Sequence, residues 1–238
     1  MRKGIKDEIQ QIDWSEVAID LNQQGHALLP GLVAYSSCDE WMNLYGEDRY
    51  FRKTVIMERH RFGVGEYRYF NYPLPEKVSM LRSALYPHLV KIANLWMKAL
   101  KIDQQYPQDH DAFLEECHEK GQLKATPLIL KYGIGGFNTL HQDLYGPVYF
   151  PLQLVIFLSD YGSDYQGGEF VMTEQVPRSQ SKAMVVKPAK GDALLFATSF
   201  RPLKGQRGYY RAQLRHGVSE VTKGNRYTLG IIFHDALQ

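Results

Sequence analysis

The stretch TPLILKYGIGGFNTLHQD (126–143) holds two short runs rich in apolar and β-branched residues, broken at Gly133–Gly136. It reads as two strands joined by a glycine turn, not as a helix. Six runs of the same kind follow it: PLQLVIFLS (151–159), GGEFVMTE (167–174), KAMVVKP (182–188), DALLFAT (192–198), AQLRHGVSEV (212–221) and RYTLGIIFH (226–234). Eight short strands with no helix between them predict a β-sandwich or barrel, because parallel βαβ units need crossover helices. Upstream of residue 125 the period changes. Leu81, Leu85, Leu89, Ile92 and Trp96 recur every three or four residues behind Pro75, which predicts a helix over 76–100. Shorter helices are expected at 14–21, closed by Gly25, and at 110–120, closed by Gly121. A further helix is expected after Ser37 as N-cap, and TVIMERHRFGVGEYRYFNY (54–72) reads as a hairpin turning at Gly63–Gly65. The fold class expected is α+β in one domain over 1–238, with 1–125 mainly a helical support and 126–238 the β core.

Composition narrows the function classes. The chain has 238 residues, 44% hydrophobic and 23% charged, with a net charge of +2. That excludes a disordered tail, a coiled coil and a strongly basic nucleic-acid-coating protein. Two cysteines, Cys38 and Cys117, imply no disulfide framework and suit a reducing compartment. The opening MRKGIKDEIQQ is followed by no apolar run, and PLQLVIFL is far too short to span a bilayer. A cytoplasmic protein with no membrane partner is expected, and nothing in the sequence implies an obligate protein partner.

Three residues on the strand-like segments can ligate a metal. His141 and Asp143 are two apart, so an extended strand turns both to one face, and His216 lies on a strand 73 residues after Asp143. Two imidazoles and one carboxylate form the facial triad that suits non-haem Fe(II) and leaves coordination positions open. Arg226 follows ten residues after His216, with Thr228 on the same face of the last strand. A guanidinium aimed into a barrel is costly unless it meets an anion, and a dicarboxylate cosubstrate would supply one. Tyr132, on the strand before His141, could add a phenolic hydrogen bond to the same carboxylate. Tyr145, Gln153 and Arg215 are further candidates for shaping the pocket.

The ordered set KYGIGGFNTLHQD, VIFLSD, GGEF, GDALLF, RHGV and NRYTLG resembles the Fe(II)/2-oxoglutarate dioxygenase superfamily, in its prolyl 4-hydroxylase-like and AlkB-like branches. Over nearly the whole chain, including YRYFNYPLP, LYPHLVKIANLW and GIIFHDA, it resembles a bacterial oxygenase family linked to oxidative repair of alkylated nucleic acid. The resemblance implies a double-stranded β-helix (jelly-roll, cupin-like) core. It implies His141, Asp143 and His216 as ligands of Fe(II), and Arg226, assisted by Thr228 and Tyr132, as the anchor of the cosubstrate 2-oxoglutarate. Asn138 stands where prolyl hydroxylases carry a tyrosine, and a donor to 2-oxoglutarate is expected there. The implied activity uses O2 as the other cosubstrate and couples oxidative decarboxylation of 2-oxoglutarate to C–H hydroxylation, with demethylation of an alkylated nucleobase as one outcome. The alternatives are a hydroxylase of a protein side chain or small molecule, and a jelly-roll binding module without turnover.

Other features have plainer readings. His110 and His118, near Cys117, do not share a helix face and are expected in solvated or capping roles; His234 is expected to be structural. Gly167–Gly168 and Gly191 read as turns, since no helix follows to make a phosphate cradle. Residues 178–226 hold eleven Lys and Arg against Asp192 and Glu220, and SFRPLKGQRGYYRAQLR mixes cations with aromatics. Such a mix suits base stacking with phosphate contact, or equally a solvated basic loop.

Overall fold

A computed structural model describes residues 4–144 and 146–237. The first half supplies α1 (Ile5–Gln11), α2 (Trp14–Gln24), β1 (His26–Leu29), α3 (Tyr35–Leu44), β2 (Phe51–Ile56), β3 (Gly63–Val64), β4 (Glu66–Phe70), α4 (Glu76–Ala99) and α5 (His110–Glu119). The rest is strand: β5 (Leu128–Tyr132), β6 (Phe137–His141), β7 (Leu152–Phe157), β8 (Tyr165–Gly167), β9 (Phe170–Gln175), β10 (Lys182–Val186), β11 (Ala193–Ala197), β12 (Phe200–Gly205), β13 (Gly208–Val218), β14 (Val221–Gly224) and β15 (Arg226–Ile231). All eight expected runs are strands.

They build two antiparallel sheets. The larger has the order β1-β11-β7-β15-β5-β4-β2 and the smaller β10-β9-β13-β6-β3, with β12 added beside β13. Along the chain, β5, β7, β11 and β15 enter the large sheet while β6, β9 and β13 enter the small one. That alternation is the winding of a double-stranded β-helix, and it encloses a space lined from both sheets. The fold is α+β with this jelly roll at its centre.

The structure departs from the sequence reading at several places. The first half is more than a helical support: β1 extends the large sheet by pairing with β11, β2 and β4 close its other edge, and β3 pairs with β6. A four-residue strand such as HALL is too short to show a period, so its partner decides it. Helix α3 begins at Tyr35, with Ala34 as its N-cap, and Ser37 lies buried inside it accepting from the Lys77 ammonium. A backbone bond from Val33 N–H to the Gly191 carbonyl, 3.0 Å, fixes the entry to this helix instead of a capping side chain. Strand β12 was hidden by its Arg, Pro and Lys; as an edge strand it accommodates Pro202 without losing a ladder bond. Helix α2 ends as expected, at Gly25 with φ 77°.

Helix α4 buries the expected stripe, Leu81 to Trp96, in the main core. Pro87 inside it costs a backbone hydrogen bond, about 3 kcal/mol. The buried side chains, at roughly 1.5–3 kcal/mol each, outweigh that. No helix among the described residues is long and apolar enough to cross a membrane.

Behind the large sheet lies a buried polar cluster. Arg82 donates to Asp235 at 2.8 Å and to the Ile232 carbonyl, while Tyr72 and His118 also bond Asp235. His110 is buried rather than solvated or capping, its Nε2 donating to the Phe233 carbonyl at 2.9 Å, whereas His118 is exposed as expected and reaches Asp235. The His234 ring accepts from Phe150 N–H and is structural.

His110 makes stability depend on pH. Burial, with the Arg82 charge second, pushes its imidazole down to about 4. The unfolded chain therefore takes the proton first as pH falls. The stability is complete above the ordinary value of about 6.5 and is lost on the way down to about 4, some 3 kcal/mol in all. Thermal melts from pH 7 to 4 should show the loss. His110→Gln, which keeps a donor to Phe233 without titrating, should flatten the profile by about that amount; an unaltered pH slope would refute this assignment.

Candidate metal centre

His141 ends β6, and its direct cross-strand partner on β13 is His216. This register sets the two rings side by side, with centroids 4.3 Å apart. Asp143, just past the strand, bridges them: Oδ1 lies 3.4 Å from His141 Nε2 and Oδ2 3.2 Å from His216 Nε2. One ligand atom from each of the three lies within 4.8 Å of the others. His141 Nδ1 donates to the Thr139 carbonyl at 2.7 Å, which fixes the ring with Nε2 turned to the cluster. His216 is oriented by packing instead. It stacks on Phe170 and meets Phe196 edge-on, at centroid distances of 5.8 and 4.7 Å, and its buried Nδ1 has no hydrogen-bond partner among the described residues. Gln153, on β7 of the facing sheet, donates to Asp143 Oδ2 at 2.7 Å.

Electrostatics prepare the donors. Burial alone would raise the Asp143 carboxyl, but the charge of His216 and hydrogen bonds from both imidazoles hold it well below the usual carboxylate range. Burial pushes His216 down, and Asp143 offsets this in part. For His141 burial acts downward too, yet the Asp143 bond and charge win and raise it. An ionised carboxylate between two imidazole nitrogens is a donor set that fits a divalent transition metal, Fe(II) in particular.

The large sheet faces this cluster with a cation. Arg226 pairs with Tyr132 across β15 and β5, and is 1% exposed. Three rings, Tyr132, Phe157 and Tyr165, surround its guanidinium at 5.6, 5.4 and 6.0 Å. Tyr165 also hydrogen-bonds the guanidinium, but among the described residues its Nε and Nη2 have no partner, and burial pushes its pKa down. Gly168, with φ 63°, makes the room: a Cβ there would stand 2.9 Å from Arg226 Cδ. Buried N–H groups without acceptors cost about 1–3 kcal/mol or more each, so this guanidinium fits an anionic ligand. Thr228 lies beyond it on the same strand face, and Tyr132 Oη accepts from Asn138 Nδ2 at 3.3 Å. The donor cluster and Arg226 line one cavity of about 220 Å³. A short dicarboxylate such as 2-oxoglutarate, one end on the metal and the other on Arg226, fits these groups.

All seven residues singled out from the sequence, Tyr132, Asn138, His141, Asp143, His216, Arg226 and Thr228, line that cavity, and Gln153 joins them. Arg215 does not. It neighbours His216 on β13, so strand alternation turns it to the exposed outer face. Tyr145 lies outside the described residues. Gly191 is a turn, whereas Gly167 ends β8 in register with Val221 and Gly168 follows it; all three have positive φ. The residues missed were the aromatic supports: Phe170 and Phe196 for His216, Phe157 and Tyr165 for Arg226. Three of the quoted motifs contain such a ring: GGEF ends in Phe170, GDALLF ends in Phe196 and VIFLSD includes Phe157, whereas Tyr165 lies in none of them. The basic stretch is partly neutralised, since Arg201 bonds Glu174 at 2.6 Å, Lys187 pairs with Glu169 and Lys190 with Asp39.

These groups on this fold define an Fe(II)/2-oxoglutarate oxygenase, a class that takes Fe(II), 2-oxoglutarate and O2. Among solved structures the chain resembles a Pseudomonas putida prolyl-4-hydroxylase (TM-score 0.56, 13% identity, covering 91% of this chain and 96% of that one). It also resembles a 2OG-Fe(II) oxygenase family oxidoreductase from Burkholderia pseudomallei (TM-score 0.54, 14% identity, 95% and 93%). At such identities these likenesses speak for the fold. Residues 65–236 match an oxygenase family described as catalysing oxidative methylation of damaged DNA, and the chain belongs to that family. An uncharacterized protein of Mycobacterium tuberculosis is 43% identical over 190 residues, 78% of this chain and 82% of its own length.

Proposed function

We propose that this oxygenase removes alkyl groups from damaged nucleobases by oxidation, and that residues 1–238 work as one domain. The observation that carries the chemistry is the single cavity holding both a two-imidazole, one-carboxylate cluster and a buried guanidinium with unpaired N–H groups. The family's description supports a substrate in damaged DNA. Fe(II), when bound, would activate O2, the oxidant, with 2-oxoglutarate oxidatively decarboxylated to succinate and CO2. His141, Asp143 and His216 hold the metal. Arg226 takes the distal carboxylate of 2-oxoglutarate in a two-pronged hydrogen bond. Thr228 and Tyr132 add hydroxyl contacts, and Asn138 positions the Tyr132 phenol. Gln153 fixes the Asp143 carboxylate. Leu128, Leu130 and Ile232 keep the space dry. Hydroxylation of an N-methyl carbon gives N–CH2OH, which collapses to N–H and formaldehyde. The chemistry thus takes a methyl group off the base. The buried free thiols of Cys38 and Cys117 support a reducing, cytoplasmic setting.

The test is formaldehyde and succinate formation from N-methylated oligonucleotides with Fe(II), ascorbate, 2-oxoglutarate and O2. Succinate without formaldehyde would move the substrate to a protein side chain or small molecule. A narrower test concerns Gln153. Outer partners of metal ligands are worth about 10–100-fold in metal affinity. Gln153→Leu should weaken anaerobic Fe(II) binding by that factor, and unchanged binding would remove Gln153 from the site.

A further inference from the structure

One wall of the cavity is an exposed aromatic ring that the chemistry above does not use. Phe62 lines the cavity yet is 45% exposed, so it stands at the mouth. It belongs to the segment MERHRFG (57–63), which crosses from β2 to β3. Three consecutive basic residues, Arg59, His60 and Arg61, precede it, and all three are exposed. Neither arginine makes an ion pair among the described residues. Glu58, the acid of the loop, is turned back to the Gly65 N–H.

This lip is held in place. The Phe62 carbonyl accepts from both the N–H and the hydroxyl of Thr139, each at 2.9 Å, two residues before His141. Gly63 lies so close to β6 that a Cβ would come within 2.2 Å of the Phe137 carbonyl oxygen. Met57, at the other end, is buried in the cluster that contains Tyr132. His60 stacks on Phe62, with centroids 5.3 Å apart and an interplanar angle of 21°. An apolar ring is therefore fixed over the entrance, flanked by free cations and tied to the strand that carries a metal ligand. A protein side chain entering the cavity would need no such cations. A nucleobase needs both: a flat surface to stack on and positive charge for the phosphates on either side.

We propose that Phe62 is the stacking platform for the target base, and that Arg59 and Arg61 bind the flanking phosphates. This rests on the nucleic-acid reading above. Base–aromatic stacking is worth about 1–3 kcal/mol per base. Phe62→Ala should therefore raise KM for a methylated single-stranded oligonucleotide roughly 10–100-fold, with kcat changed far less. Phe62→Trp should restore KM to within about threefold of the original. The ring is half exposed, so the Phe62→Ala protein should melt like the original. Replacing Arg59 and Arg61 together by Ala should flatten the plot of log affinity against log salt by about 1.4, the value for two single-strand phosphate contacts. All measurements use the iron-loaded enzyme with 2-oxoglutarate. If the original enzyme oxidises the oligonucleotide and Phe62→Ala leaves KM unmoved, the platform is refuted and the function stands. If the original enzyme neither binds nor oxidises any oligonucleotide, the nucleic-acid reading falls and the platform with it.

Discussion

Arg226→Met is expected to raise the 2-oxoglutarate requirement by at least about 100-fold while making the cosubstrate-free protein more stable. Both effects come from one feature: a guanidinium 1% exposed, ringed by Tyr132, Phe157 and Tyr165, with Nε and Nη2 unpaired among the described residues. Without an anion the buried charge is a liability, and a methionine of similar length would fill the space; exchanges of this kind gain about 1–4 kcal/mol. With a carboxylate bound, two charge-assisted hydrogen bonds form at roughly 1.5–3 kcal/mol each, and methionine makes neither. Arg226→Lys keeps the charge but not the fork, and belongs between the two. Titration of succinate formation against 2-oxoglutarate, paired with melting curves of the ligand-free proteins, reads both arms. An unchanged requirement would end the anchor role; a lower melting temperature would mean that the guanidinium has partners in the free protein.

His216→Ala should abolish turnover and weaken Fe(II) binding by more than about 100-fold, exceeding the effect of an outer partner such as Gln153. Its loss removes one of three donors and leaves Asp143 facing a single imidazole. The fold also suffers, since a buried ring packed on Phe170 and Phe196 disappears, at about 2–3 kcal/mol. His216→Leu separates the two effects. It refills much of that volume without a donor, so it should melt nearer the original and stay inactive. Activity retained in either variant would take His216 out of the metal site.

The chemistry was more legible in the sequence than the framework around it. The H-x-D spacing marks two donors for one side, although Asp143 lies just past the end of β6, and Arg226 with Thr228 follows strand alternation within β15. Gly25 and the stripe in α4 were equally readable, since a helix cap and a helix face are set within a few residues. Ser37 was misread because a serine before an acidic turn resembles an N-cap, whereas the actual entry is fixed by Gly191, some 150 residues away. The basic stretch looked more highly charged than it is because the acids that neutralise it, Glu174, Glu169 and Asp39, come from other elements or lie just upstream.

By itself the sequence determined the class of fold and the residues able to ligate, since strand period and ligand type are local properties. Tertiary structure alone decided that His141 faces His216 across β6 and β13, that Gln153 reaches Asp143 from the opposite sheet, and that Phe62 lies over the entrance. Each of these depends on which strand pairs with which and in what register. Pairing is a contest between distant segments of similar apolar pattern, settled by how the whole core packs.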